Sequence, residues 1–223
     1  MRGLPNRVVT AQTALRLPKQ GTVMKILLVG ATGTLGHAVA RQLGQQHQIL
    51  DAGRSSGTLR VDLTDDASVN ELFARTGAVD AVISTTGKLH FGPLRDMTPE
   101  RFNVGLQDKL LGQVRLALAA QHHLTAGGSI TLTSGIVSAQ PIRDGVNATS
   151  VNAALEGFVR AAALELLPRG LRINVVSPNV LVESMDAYAP YFPGFEAVTA
   201  QRAALAYQRA VEGILSGETI TVW

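Results

Sequence analysis

The chain has 223 residues, of which 46% are hydrophobic and 17% are charged, a balance typical of a globular protein rather than a disordered one. It contains no cysteine, which excludes disulfide bonds and thiol catalysis, and its five histidines have no metal-ligand spacing, so no metal site is expected. The net charge of +3 arises from residues 1–23, which carry basic side chains and no acidic ones. The remainder is close to neutral, so we expect no nucleic-acid partner, and no apolar run is long enough to span a membrane.

Segment 1–23 differs in composition from the rest of the chain. It is rich in Arg and poor in acid, as transit peptides are, but it lacks serine, and Met24 stands directly before the first predicted strand. There are two simpler interpretations. The segment is a disordered extension of the folded domain, or it results from a start codon upstream of Met24. We expect one folded domain over residues 24–223.

Apolar strand-like runs and helical patterns alternate along this domain. Strands are predicted near 25–30, 48–53, 59–62, 79–85, 129–134, 171–177 and 218–223, and helices near 34–45, 66–75 (with Thr64 as a candidate N-cap), 99–121, 146–167 and 199–213. Such alternation predicts parallel strands with right-handed crossovers. The expected fold class is α/β: a Rossmann-like doubly wound parallel sheet of about seven strands with helices on both faces, in a single domain. In such a sheet a ligand binds beyond the carboxyl ends of the strands.

The first strand leads into a glycine-rich turn, in the sequence KILLVGATGTLG at 25–36. The glycines at 30, 33 and 36 would permit a tight turn, close approach of the backbone to a pyrophosphate, and close packing of helix on strand. The N–H groups and positive dipole end of the helix would face the phosphates. The pattern predicts a dinucleotide site, although the spacing departs from G-x-G-x-x-G and a glycine-rich turn in any α/β protein is the alternative.

The turn after the second strand, Gly53-Arg54-Ser55-Ser56, bears on which dinucleotide would bind. It has no acid to accept bonds from the ribose 2′-hydroxyl of NAD, whereas Arg54 and Ser55 can clamp the 2′-phosphate of NADP. We therefore expect NADP, with NAD less favoured, although Arg54 could also be a solvated loop residue. Asp62, after the third strand, could bind the adenine amino group or could begin a helix cap.

Several blocks of the sequence together resemble the short-chain dehydrogenase/reductase family over about residues 24–223. These blocks are VGATGTLG at 29–36, VDLTD at 61–65, STTG at 84–87, ITLTSG at 130–135, AALEGFVRAAALEL at 153–166, INVVSPN at 173–179 and GETITVW at 217–223. The resemblance implies hydride transfer between a nicotinamide cofactor and a carbonyl or alcohol. Together with the turns described above, it implies that the cofactor is contacted by Gly30, Thr32, Gly33, Thr34, Leu35, Gly36, Arg54, Ser55, Asp62, Leu63, Thr85, Thr86, Gly87 and Pro178.

The family's catalytic residues are only partly present. The family's serine falls on Ser134, its tyrosine on Ala148 and its lysine on Asn152, while the asparagine of the preceding long helix falls on Lys109. We interpret this as a reciprocal exchange: Lys109 supplies the ammonium and Asn152 the amide beside the nicotinamide ribose, which makes Ser134, Lys109 and Asn152 the candidate catalytic residues. The alternative is that Lys109 is a surface lysine and Asn152 a packing residue. With the phenol missing, Lys109 could donate the proton if desolvation lowers its pKa, with Ser134 as a relay.

The sequence therefore predicts an NADP(H)-dependent oxidoreductase with an atypical catalytic site. The alternative is a non-catalytic NADP(H)-binding regulatory or scaffold protein, which Ala148 and Asn152 favour. His90, Tyr188 and Tyr191 are further candidate acids, with packing or lid roles as the alternative. The expected partners are a small carbonyl or alcohol substrate and, through the apolar long helices, further copies of the chain in a homodimer or homotetramer, although these faces could pack on the sheet alone. A cytoplasmic location is expected.

Overall fold

In the computed structural model, which describes residues 21–223, seven parallel strands form one sheet. The strands are β1 (Lys25–Val29), β2 (Gln48–Gly53), β3 (Leu59–Arg60), β4 (Val79–Ser84), β5 (Leu124–Thr133), β6 (Arg172–Pro178) and β7 (Thr219–Val222). Their spatial order is β3-β2-β1-β4-β5-β6-β7, and each neighbouring pair is parallel. The chain order reverses between β1 and β4, which is the switch point of a doubly wound sheet, so the predicted fold class is confirmed.

Helices cover both faces of this sheet. They are α1 (Thr34–Leu43), α2 (Asp66–Thr76), α3 (Pro99–Gly105), α4 (Gly112–Ala120), α5 (Val146–Leu166), α6 (Met185–Tyr188) and α7 (Ala200–Glu212). Successive side chains of β1 point to opposite faces: Leu27 and Val29 join a core cluster with residues of α2, α4 and α5, whereas Ile26 and Leu28 join a second cluster with residues of α1 and α7. A strand buried on both faces explains the continuous apolar run that predicted it.

The helix predicted over 99–121 is interrupted. Between α3 and α4 the backbone adopts a π-helical turn over Leu106–Leu111, and Lys109 lies buried within this turn. A π-turn inside a helix is rare and often marks a functional position. The N-cap of α2 is also not the predicted Thr64, because the side chain of Asp65 accepts the N–H groups of Ala67 and Ser68.

The remaining boundaries agree with the prediction to within two residues or so, apart from β5. This strand begins at Leu124 rather than near 129, because Leu124 already pairs with Val79 before the register shifts. Within residues 21–223 no helix combines the length and apolarity needed to cross a bilayer. The prediction of disorder for 1–23 falls, as far as residue 20, outside the described residues.

Candidate active site and cofactor cleft

The glycine turn after β1 is shaped by close contacts that admit no side chain. Gly30 has a φ of +92°, and a Cβ there would lie 2.7 Å from Cγ2 of Thr86. A Cβ on Gly36 would overlap the carbonyl oxygen of Gly30, so both positions require glycine. At Gly33 the space is open enough for a Cβ in ordinary contact, and no side chain caps the helix that starts there. Packing therefore does not explain the glycine at 33, and the uncapped N–H groups at the start of α1 are of the kind that bind anions.

The exit of β4 is held against this turn by two threonines. The Oγ1 of Thr85 donates to the carbonyl oxygens of Val29 and Gly30, at 3.3 and 3.2 Å. The hydroxyl of Thr86 lies 2.8 Å from that of Ser84. The carboxyl ends of β1 and β4 are thus fixed relative to each other, which places Thr85, Thr86 and Gly87 at the switch point where an open α/β sheet binds its ligand.

Lys109 reaches the same place from the π-helical turn. Its aliphatic stem packs on the backbone of Gly87, where a Cβ would overlap the Lys109 Cγ atom, and Gly87 has a φ of +132°. Its ammonium donates to the carbonyl oxygen of Ser134 at 3.1 Å, and only 8% of the residue is exposed. Within residues 21–223 no carboxylate lies within ion-pair distance of this ammonium. The residue is buried, so the surface-lysine alternative is wrong. Burial also lowers the pKa of Lys109 from 10.5 to about 8.

Ser134 and the residue before it, Thr133, are held by two side chains that were not predicted from the sequence, Glu156 and Gln113. Its hydroxyl donates to Glu156 Oε1 at 2.9 Å, and the hydroxyl of Ser138 donates to the same oxygen at 2.6 Å. The side-chain amide of Gln113 bonds both backbone groups of Thr133, the residue before Ser134. Lys109 therefore contacts the Ser134 backbone, while the hydroxyl that was expected to act as its relay turns to Glu156. Glu156 follows Ala148 and Asn152 at the i, i+4, i+8 spacing of one helical face, and that spacing is the sequence signal that could have revealed it.

Asn152 lines the same cavity as Lys109 and Ser134, but its side chain does not form a hydrogen bond with Lys109. Its Oδ1 atom is buried and has no hydrogen-bond partner, and its Nδ2 atom lies beside Gly135, 3.5 Å from where a Cβ would be. Ala148, one turn earlier on α5, is fully buried in an apolar cluster with Ile136, Val137, Val180 and Phe192. The buried Asn152 oxygen is a polar atom that a ligand hydroxyl would satisfy, so the residues present fit a ribose or an alcohol at this point.

The residues predicted to hold the adenosine end lie apart from this cleft, near β2 and β3. Arg54 donates to Asp62 Oδ1 at 2.9 Å and to Asp108 Oδ2 at 3.3 Å, so both of its partners are carboxylates. Asp62 also accepts the N–H and hydroxyl of Thr64, and these bonds, more than Arg54, lower its pKa. Ser55 is exposed, and Leu63 is buried in the core. Asp62 thus forms a turn before α2, and a phosphate at Arg54 would have to compete with the two carboxylates.

The cleft that joins these groups has a volume of about 480 Å³. The polar side chains that line it include Thr85, Thr86, Lys109, Ser134 and Asn152. The apolar side chains of the lining, called the apolar wall below, include Leu35, Leu89, Phe91, Val137, Pro178, Val180, Tyr188 and Phe192. Of the predicted cofactor residues, Thr32, Gly33 and Thr34 line a neighbouring pocket at the start of α1.

Among the further candidate acids, only Tyr188 reaches the cleft. It lines the apolar wall, with its ring packed edge-on against that of Phe91 at 5.8 Å between centroids. Tyr191 packs on the other side of Phe91, at 4.9 Å, and the backbone N–H of His90 bonds the Asn147 side chain. Neither Tyr191 nor His90 is among the residues that line the cleft.

Comparison with known proteins agrees with this geometry. A family model described as enoyl-(acyl carrier protein) reductase matches residues 9–214. Versicolorin reductase stcU of Emericella nidulans is 27% identical over 199 residues, which span 78% of this chain and 75% of that protein. The crystal structure of the protein lin1944 from Listeria innocua is 44% identical, with a TM-score of 0.88, and the match covers 90% of this chain and 100% of that one. A small-chain dehydrogenase crystallised with NADPH is 27% identical, with a TM-score of 0.80 and coverage of 90% and 97%.

The sheet order, the glycine turn against β4 and the extent of these matches agree with one another. The resemblance predicted from the sequence blocks is confirmed. The chain belongs to the short-chain dehydrogenase/reductase family of oxidoreductases, whose members bind a nicotinamide cofactor.

Proposed function

We propose that this protein is an NADP(H)-dependent oxidoreductase that interconverts a carbonyl and an alcohol with Lys109, Ser134 and Asn152 in place of the usual catalytic set. The main observation in favour of the proposal is the buried Lys109 ammonium in the lining of the cleft. Its aliphatic stem packs on the Gly87 backbone, and its Nζ donates to the Ser134 carbonyl oxygen. The bound nicotinamide supplies or accepts the hydride. The protein has to orient the reactants, supply charge and move a proton.

Binding of the phosphates would use the uncapped N–H groups at the start of α1 and the open space at Gly33. Arg54 and Ser55, in a turn without an acid, support NADP over NAD, since a guanidinium suits a 2′-phosphate. Arg54 would exchange at least one carboxylate, Asp62 or Asp108, for that phosphate. The binding step is therefore expected to weaken as ionic strength rises.

Proton transfer is assigned to Lys109. With a pKa of about 8, its ammonium can give a proton to an alkoxide near neutral pH and regain one, as an efficient general acid requires. The buried Oδ1 of Asn152 would accept a hydrogen bond from a ribose or substrate hydroxyl. Ser134, whose hydroxyl proton is donated to Glu156, can accept a further bond from the substrate alcohol.

The test separates binding from turnover. NADPH binding is followed by fluorescence, and oxidation of NADPH is then measured with a panel of aldehydes, ketones and quinones. Lys109→Met should lower turnover by about a hundredfold or more while NADPH still binds, because the general acid is lost. Lys25→Arg, at a strand lysine outside the cleft, is the matched control and should leave turnover unchanged. Unchanged turnover in both Lys109→Met and Ser134→Ala would overturn the catalytic assignment.

A specific observation favours a second function, an NADP(H)-binding regulatory or scaffold protein without turnover. The position of the family's tyrosine is occupied by Ala148, which is fully buried under apolar side chains, so no phenol lies at that point. Tight NADPH binding with no oxidation across the whole carbonyl panel would support this function and exclude the first.

We also propose self-association through α4 and α5, as a homodimer or homotetramer. Leu118 on α4 and Leu164 on α5 are 51% and 75% exposed, and a groove between the two helices is lined by Ala117, Phe158 and Ala161. Exposed apolar area of this kind favours a protein interface. Light scattering on the wild type and on Leu164→Glu tests it, with a lower molar mass expected for the variant.

A further inference from the structure

Lys109 combines features that suit an amine nucleophile as well as a proton donor. Its Nζ donates one hydrogen bond, to the Ser134 carbonyl oxygen, and within residues 21–223 no carboxylate lies within ion-pair distance of it. An amine that donates one N–H in this way keeps its lone pair for another partner. Since burial penalises the ammonium form, the neutral amine is populated near pH 8, and a desolvated lysine amine is the form that attacks carbonyl carbon.

The position of the amine is fixed by packing rather than by charge. Gly87 has no Cβ, and the Lys109 stem fills the space that a Cβ would take. The π-helical turn over Leu106–Leu111 presents Lys109 to the interior, where it lines the 480 Å³ cleft. A side chain held along its stem loses less rotamer entropy when its head group forms a bond, which favours a covalent partner at this point.

The apolar wall of the cleft indicates which carbonyl compounds would bind beside the amine. Leu89, Phe91, Val137, Val180, Tyr188 and Phe192 line it, and the aromatic rings of Phe91 and Tyr188 meet edge to face. Apolar and aromatic linings of this size bind small, largely apolar ligands and stack on aromatic rings. Aldehydes are the carbonyls least hindered toward addition of an amine.

We propose that Lys109 captures apolar aromatic aldehydes covalently and reversibly as an imine. The Nζ lone pair adds to the aldehyde carbon, and the carbonyl oxygen takes a proton to give a carbinolamine. Loss of that oxygen as water, with the second nitrogen proton, leaves the C=N bond. Nothing is oxidised or reduced, and water reverses the step. The proposal goes beyond the oxidoreductase function and does not depend on it, since no cofactor takes part.

The test uses the full-length protein without cofactor, 2-naphthaldehyde as the probe, and sodium cyanoborohydride, whose hydride reduces any imine to a stable secondary amine. The sequence has only four lysines, Lys19, Lys25, Lys88 and Lys109, so peptide mass spectrometry can follow each one in the same sample. At pH 8 about half of a lysine with a pKa of about 8 is neutral, against under about 1% of an ordinary lysine. We expect Lys109 to be labelled at least roughly tenfold faster than Lys88, which lies at the exposed mouth of the same cleft.

Lys25 is an internal control because it also donates to a single backbone carbonyl, that of Thr76 at 2.7 Å, but does not line the cleft. Labelling of Lys109 no faster than of Lys25 or Lys88 would overturn the proposal, and that comparison needs no variant. Lys109→Arg, checked for folding by circular dichroism, should lose the fast adduct, and Lys25→Arg should keep it. If glycolaldehyde, a small polar aldehyde, shows the same preference for Lys109 over Lys25 and Lys88, the proposed selectivity for apolar aromatic aldehydes is wrong.

The outcome is separate from that of the oxidoreductase proposal. Fast labelling of Lys109 with no turnover of any carbonyl supports imine formation at Lys109 and contradicts the oxidoreductase proposal. Turnover with no preferential labelling supports the enzyme and overturns capture.

Discussion

Two cations are buried at opposite ends of the same sheet, and they differ in how many hydrogen-bond partners the fold gives them. Arg172 begins β6 and is 1% exposed, and its guanidinium donates to the carbonyl oxygens of Ala210 and Val211, both at 2.7 Å, and of Leu215. Lys109 lies at the carboxyl ends of the strands with one carbonyl partner. Among the described residues neither cation forms an ion pair, and burial lowers the pKa of both. The terminal guanidinium nitrogens of Arg172 donate to three carbonyl oxygens of the fold, although its buried Nε atom has no partner, whereas Lys109 donates to one.

The difference follows from what each cation can do for the chain. The carbonyls at the C-terminal end of α7 have no intrahelical partners, and Arg172 satisfies two of them together with one in the following loop. Lys109 satisfies only the Ser134 carbonyl. A guanidinium cannot lose its proton in a protein, while a lysine can. These contacts assign Arg172 a role in stabilising the fold, whereas Lys109 is the residue proposed above for chemistry in the cleft.

The largest effect is expected at Arg172. Arg172→Met should lower the free energy of unfolding by about 3 to 5 kcal/mol, because it leaves several buried carbonyls without donors. Urea denaturation measures this, with Arg160→Met at an exposed position of α5 as the control. A loss of unfolding free energy below about 1 kcal/mol would contradict the comparison, because Arg172 would then not stabilise the fold more than Lys109 does.

The second prediction concerns the pH dependence of stability at Lys109. Below pH 8 both the folded and the unfolded protein hold the proton, and the folded state bears the cost of a buried ammonium. Between about 8 and 10.5 the folded state releases the proton first, so the unfolded state binds more protons and stability rises with pH. Each pKa unit corresponds to about 1.4 kcal/mol, so the rise is on the order of 3 kcal/mol.

The measurement is the unfolding free energy of the wild type minus that of Lys109→Met across pH 7 to 11. A difference that stays flat would mean that the ammonium is compensated in the folded state, as Arg172 is. Subtraction of the variant removes the contributions of other groups that titrate in this range.

A third test changes the packing of the aliphatic part of the Lys109 side chain and leaves its ammonium in place. Gly87→Ala should cost about 1 to 3 kcal/mol, because φ is +132° there and the new Cβ would overlap the Lys109 stem. The variant should also slow aldehyde labelling of Lys109. Gly77→Ala, at a positive φ of +63° with open space around it, is the control that carries backbone strain alone. Equal effects of the two substitutions on Lys109 labelling would mean that Gly87 does not position the lysine.

The strands and the glycine turn could be predicted because their signals are local. The apolar run of β1 and the glycines at 30, 33 and 36 report burial and close backbone approach within a dozen residues. The switch point could be predicted in turn, because strand–helix alternation leaves few topologies.

The two buried cations could not be distinguished from sequence in this way. Arg172 stands in a strand next to apolar residues, and its acceptors lie 38 to 43 positions along the chain. The π-helical turn that buries Lys109 depends on how α3 and α4 pack, and its contact with Ser134 spans 25 residues. Similarly, the i+4 spacing favours Glu156 facing the cleft side of α5, but its two serine partners are set by the loop after β5.

The smallest effect is expected at Glu156, the carboxylate that shares Ser134 with Lys109 but does not pair with the ammonium. Glu156→Gln replaces a charged acceptor of two serine hydroxyls by a neutral one, which should cost about 1 to 2 kcal/mol of stability. Glu165→Gln, exposed on the same helix, should cost less than about 0.5 kcal/mol. Because Lys109 contacts the Ser134 backbone and not its hydroxyl, the labelling rate of Lys109 should change less than twofold in Glu156→Gln, within roughly 0.4 kcal/mol. A large change would show that Glu156 compensates the ammonium through Ser134, and Lys109 would then resemble Arg172, a cation already committed within the fold.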